Sequence, residues 1–473
     1  MSVATKQRLR SSSAALGLCA LVVALIALGF YLGLRHGLGD TELLGDRQKP
    51  PVALAPNESS APAGWPQWRG LNRDGVSPET GLLTKWPEQG PAVLWRAASG
   101  LGYSGLAVAG GRLYTLLQEG DNEAVICLNA ETGNELWRLR YAAKFVSDQG
   151  SGPRSTPTVE GNRVYTVGAT GILHCLDAAT GELIWRRDLI QELDGRVPEW
   201  GVSFSPLVDG DSVFTHPGGS AGNSLAAFDK YTGALRWKSL DDRPGYASPI
   251  LTTAAGVRQV LFFTAEALVS VEPASGRLYW RYPWTTMMDC NIATPITTGE
   301  YVFTSSGYGR GCALLKLVPR GAGALGVEAV YEHARLRNHF STSVLYEGHL
   351  YGFDETRLIC MELLTGKVKW QARGFRKGSL LAADGHLIIL GENGKLALAD
   401  ATPAGYRERA SFRVSHYRCW TVPTLAGGKL YVRDEEQIAC LDLRTARSTE
   451  RVAGAASVRD NSERLGDSSE HAP

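Results

Sequence analysis

The sequence predicts an all-β fold, an eight-bladed β-propeller of four-stranded antiparallel blades behind a single N-terminal transmembrane helix. Two repeated blocks and one apolar run predict it. The first block is LDAATGELIWR, Leu176 to Arg186, with copies LNAETGNELWR from Leu128, FDKYTGALRWK from Phe228, VEPASGRLYWR from Val271 and MELLTGKVKWQ from Met361. The second precedes it and includes LAVAGGRLYTLL, PTVEGNRVYTVG, PLVDGDSVFTHP, PITTGEYVFTSS, SVLYEGHLYGFD, LLAADGHLIILG and PTLAGGKLYVRD. Trp137, Trp185, Trp237 and Trp280 recur about every 45–50 residues, close to the ~40–45 residues of one propeller blade.

Each block reads as a hairpin. In the first, an apolar strand meets an acidic or turn-prone residue, Thr or Ser and then Gly make the turn, and the returning strand carries the Trp. Gly133, Gly181, Gly233, Gly276 and Gly366 stand where φ is expected to be positive, and Asp177 and Asp229 are placed to accept from turn amides. The second block alternates apolar residues on either side of a Gly-containing turn. Two hairpins give four strands, and a lone meander of four strands is stabilised only by neighbours that cover its faces.

The upstream blocks begin near Leu106, Pro157, Pro206, Pro295, Ser343, Leu380 and Pro423, and SPILTTAAGVRQVLFFTAEA around Pro249 is an eighth copy with a longer turn. The downstream hairpin is degenerate in blades five, seven and eight. Blade eight lacks a Trp strand, but AVLWRAA at Ala92 to Ala98 precedes blade one and carries the missing motif. It is expected to close the ring as the last blade's outer strand.

Residues 1–13, with Lys6, Arg8 and Arg10, form a basic N-terminus expected to be cytoplasmic. Residues 14–34, AALGLCALVVALIALGFYLGL, are uncharged. At ~1.5 Å per residue this run spans a ~30 Å hydrocarbon core, and it is longer than the ~7–15-residue core of a cleaved signal peptide. An uncleaved anchor is expected, with the propeller periplasmic or otherwise extracytoplasmic. Cys19 follows Leu18 rather than a small residue, which argues against lipidation. Residues 35–64 carry four prolines and read as a flexible linker, residues 65–445 as the propeller, and residues 446–473 as a disordered tail. Trp65, Trp68 and Trp86 are expected to cover one rim or flank of the ring.

Lys plus Arg number 49 against 48 Asp plus Glu, which gives no electrostatic case for nucleic acid. Cys127, Cys175, Cys360 and Cys440 share one register and read as small buried fillers. A Cys290–Cys312 disulfide stays open, and no CxxC pair exists. GGSAG at Gly218 to Gly222, near His216, has the spacing of a nucleophile elbow but sits between two strands, so it reads as a loop.

The candidate ligand site is the ring of residues just before each inner strand: Tyr103, Arg154, Trp200, Tyr246, Asp289 with Asn291, Asn338 with His339, Lys377, and Arg418 with Trp420. In a propeller these loops converge at one mouth of the central channel, and converging polar and aromatic groups in a concavity define a binding site. No catalytic or metal-ligating residue is assigned.

At the LDAATGELIWR hairpins the chain resembles the PQQ-like, BamB-like β-propeller repeat family, over roughly residues 65–445, and the opening WPQWRGLNRDGVSPETGLL also resembles bacterial PQQ-binding-like proteins. The resemblance implies one of two roles. Quinoprotein dehydrogenases pair PQQ with calcium, held by acidic and amide side chains, beside adjacent cysteines and a catalytic Asp. This chain has no CC dipeptide, and Asp289 with Asn291 is the one acid–amide pair at the expected mouth. BamB-like members are binding modules without a cofactor, lipid-anchored where this chain has an apolar run. The expectation is a membrane-anchored, non-catalytic scaffold for a protein, peptide or polysaccharide partner. A PQQ-dependent alcohol or sugar dehydrogenase and a ligand-sensing propeller are the alternatives.

Overall fold

The computed structural model describes residues 64–254, 256–321 and 325–445. The expected N-terminus, anchor and tail, and all but the last residue of the linker, lie outside the described residues. Among those described, no helix is long and apolar enough to cross a membrane.

Eight sheets follow one another, six of them simple meanders whose first strand is innermost, while the last two in the chain each borrow one strand from the start of the described residues. Blade one comprises Ala107–Ala109, Arg112–Glu119, Asn122–Asn129 and Glu135–Ala142. Its two middle strands are buried almost throughout, whereas the outer strand buries only Trp137 and leaves the rest exposed or half-buried. Middle strands are covered on both faces by neighbouring blades and so read as apolar runs. An outer strand alternates because it is half in water. The closing strand is as expected: Val93–Ala98 pairs antiparallel with Gln437–Asp442 of blade eight.

One triplet explains both the Trp and the Cys. Tyr165, Cys175 and Trp185 lie side by side on three successive strands of blade two, and the same order is kept by Tyr114, Cys127 and Trp137, by Tyr351, Cys360 and Trp370, and by Tyr431, Cys440 and Trp95. The small thiol lets the flanking rings meet above it, at 6.0 Å for Tyr165 and Trp185. Both rings then donate to one carbonyl of the next blade: Trp185 Nε1 to Lys230 O at 3.0 Å and Tyr165 Oη at 3.1 Å. All the described cysteines are free and buried, including Cys290 and Cys312. Burial pushes the Cys127 and Cys440 thiols up to about 12.

Blade five departs from the pattern in an ordered way. Its third strand, Gly311–Pro319, runs past the point where other blades turn and pairs with Leu325–His333. Tyr331 occupies the Trp position and donates to Leu363 O of blade six at 2.7 Å. Trp280 of blade four meets no turn carbonyl in blade five and donates to its own blade's Gln259 at 2.8 Å.

Asp177 accepts from the Ala179 and Thr180 amides, each at 2.9 Å, as the turn reading expects. Gly181 has φ +76°, and a β-carbon there would lie 2.5 Å from the Trp137 ring. Gly181→Val therefore adds a strained backbone to an overpacked seam and costs roughly 2–4 kcal/mol. Gly161→Asn is the control, since Gly161 has φ +58° with open space around it and Asn tolerates that conformation. Thermal melting that ranked the two equally would refute the packing part of the account.

The GGSAG segment is a loop. His216 beside it is buried against Phe204 and Phe262, with neither ring nitrogen bonded. Burial pushes its pKa down to about 4, against a smaller opposing effect of Asp242. The unfolded chain binds a proton here near pH 6.5 and the folded one does not until near 4. This contribution to stability is thus present above pH 6.5 and is lost as pH falls toward 4, by up to about 3 kcal/mol. In denaturant titrations at pH 7 and 4.5, His216→Phe should lose less stability than the wild type. An identical pH slope in both proteins would contradict the assignment.

Candidate functional site

The first described residues do not cover a rim. They cross the central channel, because their bonding groups reach inner strands on all sides. Trp65 pairs with Val108 of blade one, Pro66 O accepts from Val159 N of blade two at 2.8 Å, and Arg73 donates to Ser205 O and Pro206 O of blade three. Trp68 Nε1 donates to Thr294 at the start of blade five at 2.8 Å, and Arg69 to Thr342 O and Ser343 O of blade six. Val76–Ser77 adds a parallel fifth strand to blade seven, and Glu79 accepts from Gly427 and Gly428 in blade eight. Arg69 and Arg73 are buried, and desolvation lowers them to about 10 and about 9. Backbone carbonyls take up most of their N–H groups. Only Trp86 lies on a flank, edge-on to Phe412 at 6.0 Å beside blade seven's outer strand.

This plug turns the channel mouth into a blind bowl of about 320 Å³, with Trp68 in its lining. The loops before the inner strands supply its wall. Tyr103, Arg154, Trp200, Tyr246, His339, Lys377 and Trp420 all line the cavity, joined by Tyr308, Phe340 and Gln149. Trp200, Tyr308 and His339 form a run of near-parallel rings, 16° and 25° apart in successive pairs. Phe340, edge-on to His339, continues into a second run with Trp420 and Tyr103, with successive centroids 5.3 and 5.2 Å apart.

The other candidates do not reach this wall. Asn291 is fully buried, donating to Thr264 O and Trp284 O and accepting from Ser306. Asn338 donates to Phe353 O and accepts from Ser343. Both amides are buried, hold loops to strands and stay off the lining. Asp289 is paired with Arg243 at 2.5 Å. Arg418 lies over Trp420 and faces Glu435, which also accepts from the Tyr103 hydroxyl at 2.7 Å. Burial and that carboxylate push Tyr103 up to about 12.

The charge left in the bowl is positive. Arg154 is fixed by Gly150 O and Gly152 O, each at 2.6 Å, and stacks on Phe145. Desolvation lowers it to about 10, still well above neutrality. Lys377 Nζ donates to His339 Nε2 at 3.0 Å. Burial and then the Lys377 charge push His339 down to about 4, so the ring is neutral and carries its proton on Nδ1. Among the described residues that Nδ1–H and the Trp420 Nε1–H are buried without a partner, and no ion pair takes up Arg154 or Lys377.

This donor set does not fit PQQ with calcium. A calcium ion takes ~6–8 oxygen ligands, largely from carboxylates and amides, yet no carboxylate lines the bowl. Asp289 and Asn291 are spent elsewhere, and no cluster of three acids, histidines or cysteines occurs among the described residues. Sequence reasoning missed Trp68 and Tyr308 because neither stands before an inner strand. Phe340 adjoins His339 and was open to view.

Fold and cavity together define a propeller of PQQ-like repeats whose plugged mouth is a bowl lined by aromatic rings and two cations. The sequence profile of the outer membrane protein assembly factor BamB matches residues 81–171 and 147–372, and the chain belongs to that family. The BamB of Moranella endobia (strain PCIT) is 22% identical over 255 residues, which span 52% of this chain and 64% of that protein, less than two thirds of its length. BamB from Moraxella catarrhalis superposes with a TM-score of 0.54 at 15% identity, over 74% of this chain and 99% of that one. Quinohemoprotein alcohol dehydrogenase from Comamonas testosteroni gives 0.56 at 12% identity, over 81% of each chain. Both structural likenesses are likenesses of fold.

Proposed function

We propose that the protein is a non-catalytic recognition module, a propeller held outside the cytoplasm by residues 14–34 that presents its plugged mouth to a partner. One observation carries the reading: Arg154 and Lys377, neither in an ion pair among the described residues, stand among aromatic rings on a wall that no carboxylate lines. The imidazole's acceptor nitrogen is occupied by Lys377, so the wall is built to hold a ligand rather than to take a proton from one. The family's role in outer-membrane protein assembly supports a scaffold, while the apolar run and its basic flank support the anchor. Val146 and Val197 are exposed on loops at the same mouth, whereas Leu94 and Leu278 are exposed on outer strands.

Photo-crosslinking residues placed singly at these four positions in cells test the reading. Adducts are expected from Val146 and Val197 and should weaken in a Trp200→Ala, Tyr308→Ala double variant. Adducts from Leu94 and Leu278 alone would transfer the interaction to the outer edge and end the bowl's role in it.

A further inference from the structure

The bowl specifies more than a face. Arg154 and Lys377 line the bowl with no carboxylate in ion-pair contact among the described residues, and burial costs Arg154 hydration that an entering anion restores in part. To meet these two cations the ligand must bring acceptor oxygens. A peptide would carry its own backbone donors into a wall with few acceptors to spare. The near-parallel rings of Trp200, Tyr308 and His339 offer a flat apolar platform. Ser203, Ser248 and Gln149 lie on the lining as well. Such neutral groups both donate and accept, which suits a hydroxyl-rich ligand that does the same. The bowl is closed beneath by the plug, and about 320 Å³ is at the small end of ligand pockets of ~300–1,000 Å³. It therefore admits a chain end or a short oligomer.

We infer that the bowl binds the end of a uronic-acid saccharide, its carboxylates on Arg154 and Lys377 and a sugar C–H face on the ring platform. This rests on the recognition reading above and names its ligand.

The test is calorimetric titration of the full chain with trigalacturonate and with its methyl ester, followed in parallel by tryptophan fluorescence. The acid should bind saturably, more weakly as salt rises, and the ester at least tenfold less tightly. Arg154→Gln and Lys377→Met should each lower affinity about tenfold, equivalent to about 1.4 kcal/mol. Arg258→Gln, at an exposed ion pair with Asp209 on an outer surface, should leave it unchanged, and unaltered melting of each variant shows that the fold is intact. Equal binding of acid and ester, or no binding of either, overturns the proposal. So does tighter binding of a tetra-aspartate peptide or of benzenetricarboxylate. Should cross-links from Val146 and Val197 persist while trigalacturonate fails to bind, the saccharide falls and the recognition face stands.

Discussion

Trp185→Ala lowers the unfolding free energy by about 3–5 kcal/mol, the usual range for deleting a buried large aromatic side chain. The side chain is 8% exposed, and its loss empties a seam rather than a surface. It packs on Tyr165, covers Gly233 and bonds to Lys230 O. Alanine removes all three at once, and the cavity lies between two rigid sheets that cannot collapse onto it. Tyr165→Phe deletes only the second donor to the same carbonyl and should cost about 1 kcal/mol. Denaturant melts of the two variants compare them directly. A midpoint shift for the alanine variant no larger than that for Tyr165→Phe would show that the seam is held by something else.

Arg433→Met is expected to cost as much, again about 3–5 kcal/mol, by stripping a buried polar network of its donor. Arg433 is 1% exposed, and desolvation lowers its pKa to about 10 against the opposing charge of Asp434. Its guanidinium reaches from blade eight to blade one, donating to Ser104 O, Thr115 Oγ1 and Leu116 O through Nη1 and to Ser99 O through Nη2. No methionine atom can donate to those acceptors, which lose a buried charged donor while only Thr115 and Ser104 keep a bond between them. Arg433→Lys keeps the charge but not the planar fork and should recover less than half of the loss. Chemical denaturation ranks the three proteins. A methionine variant as stable as the wild type would mean that water reaches these carbonyls.

The repeat made the blades legible because each turn glycine and each Trp keeps a fixed place in its hairpin. An LWR motif without a blade and a blade without its Trp strand likewise predicted the ring closure that Val93–Ala98 makes. Blade five looked degenerate because its Trp had become Tyr331, yet the phenol does the same docking. The loops of the bowl were located by register alone. What each side chain does there was not, because Asn291 and Lys377 are equally polar in sequence and only tertiary contacts spend one on carbonyls and leave the other facing the cavity. The plug was illegible for a related reason: Trp65 and Trp68 announce burial but not the channel that receives them.

The closing strand also sets an order of events during synthesis. Val93–Ala98 leaves the ribosome before any blade and must wait for a partner strand made about 350 residues later, an interval of tens of seconds at ~5–20 residues per second. Throughout it the Trp95 strand is an unpaired edge with apolar neighbours, open to pairing with a wrong strand or a second chain. The nascent ring is thus most vulnerable just before it closes, when seven blades stand assembled around a gap. A holdase that covers this single strand would protect the whole ring.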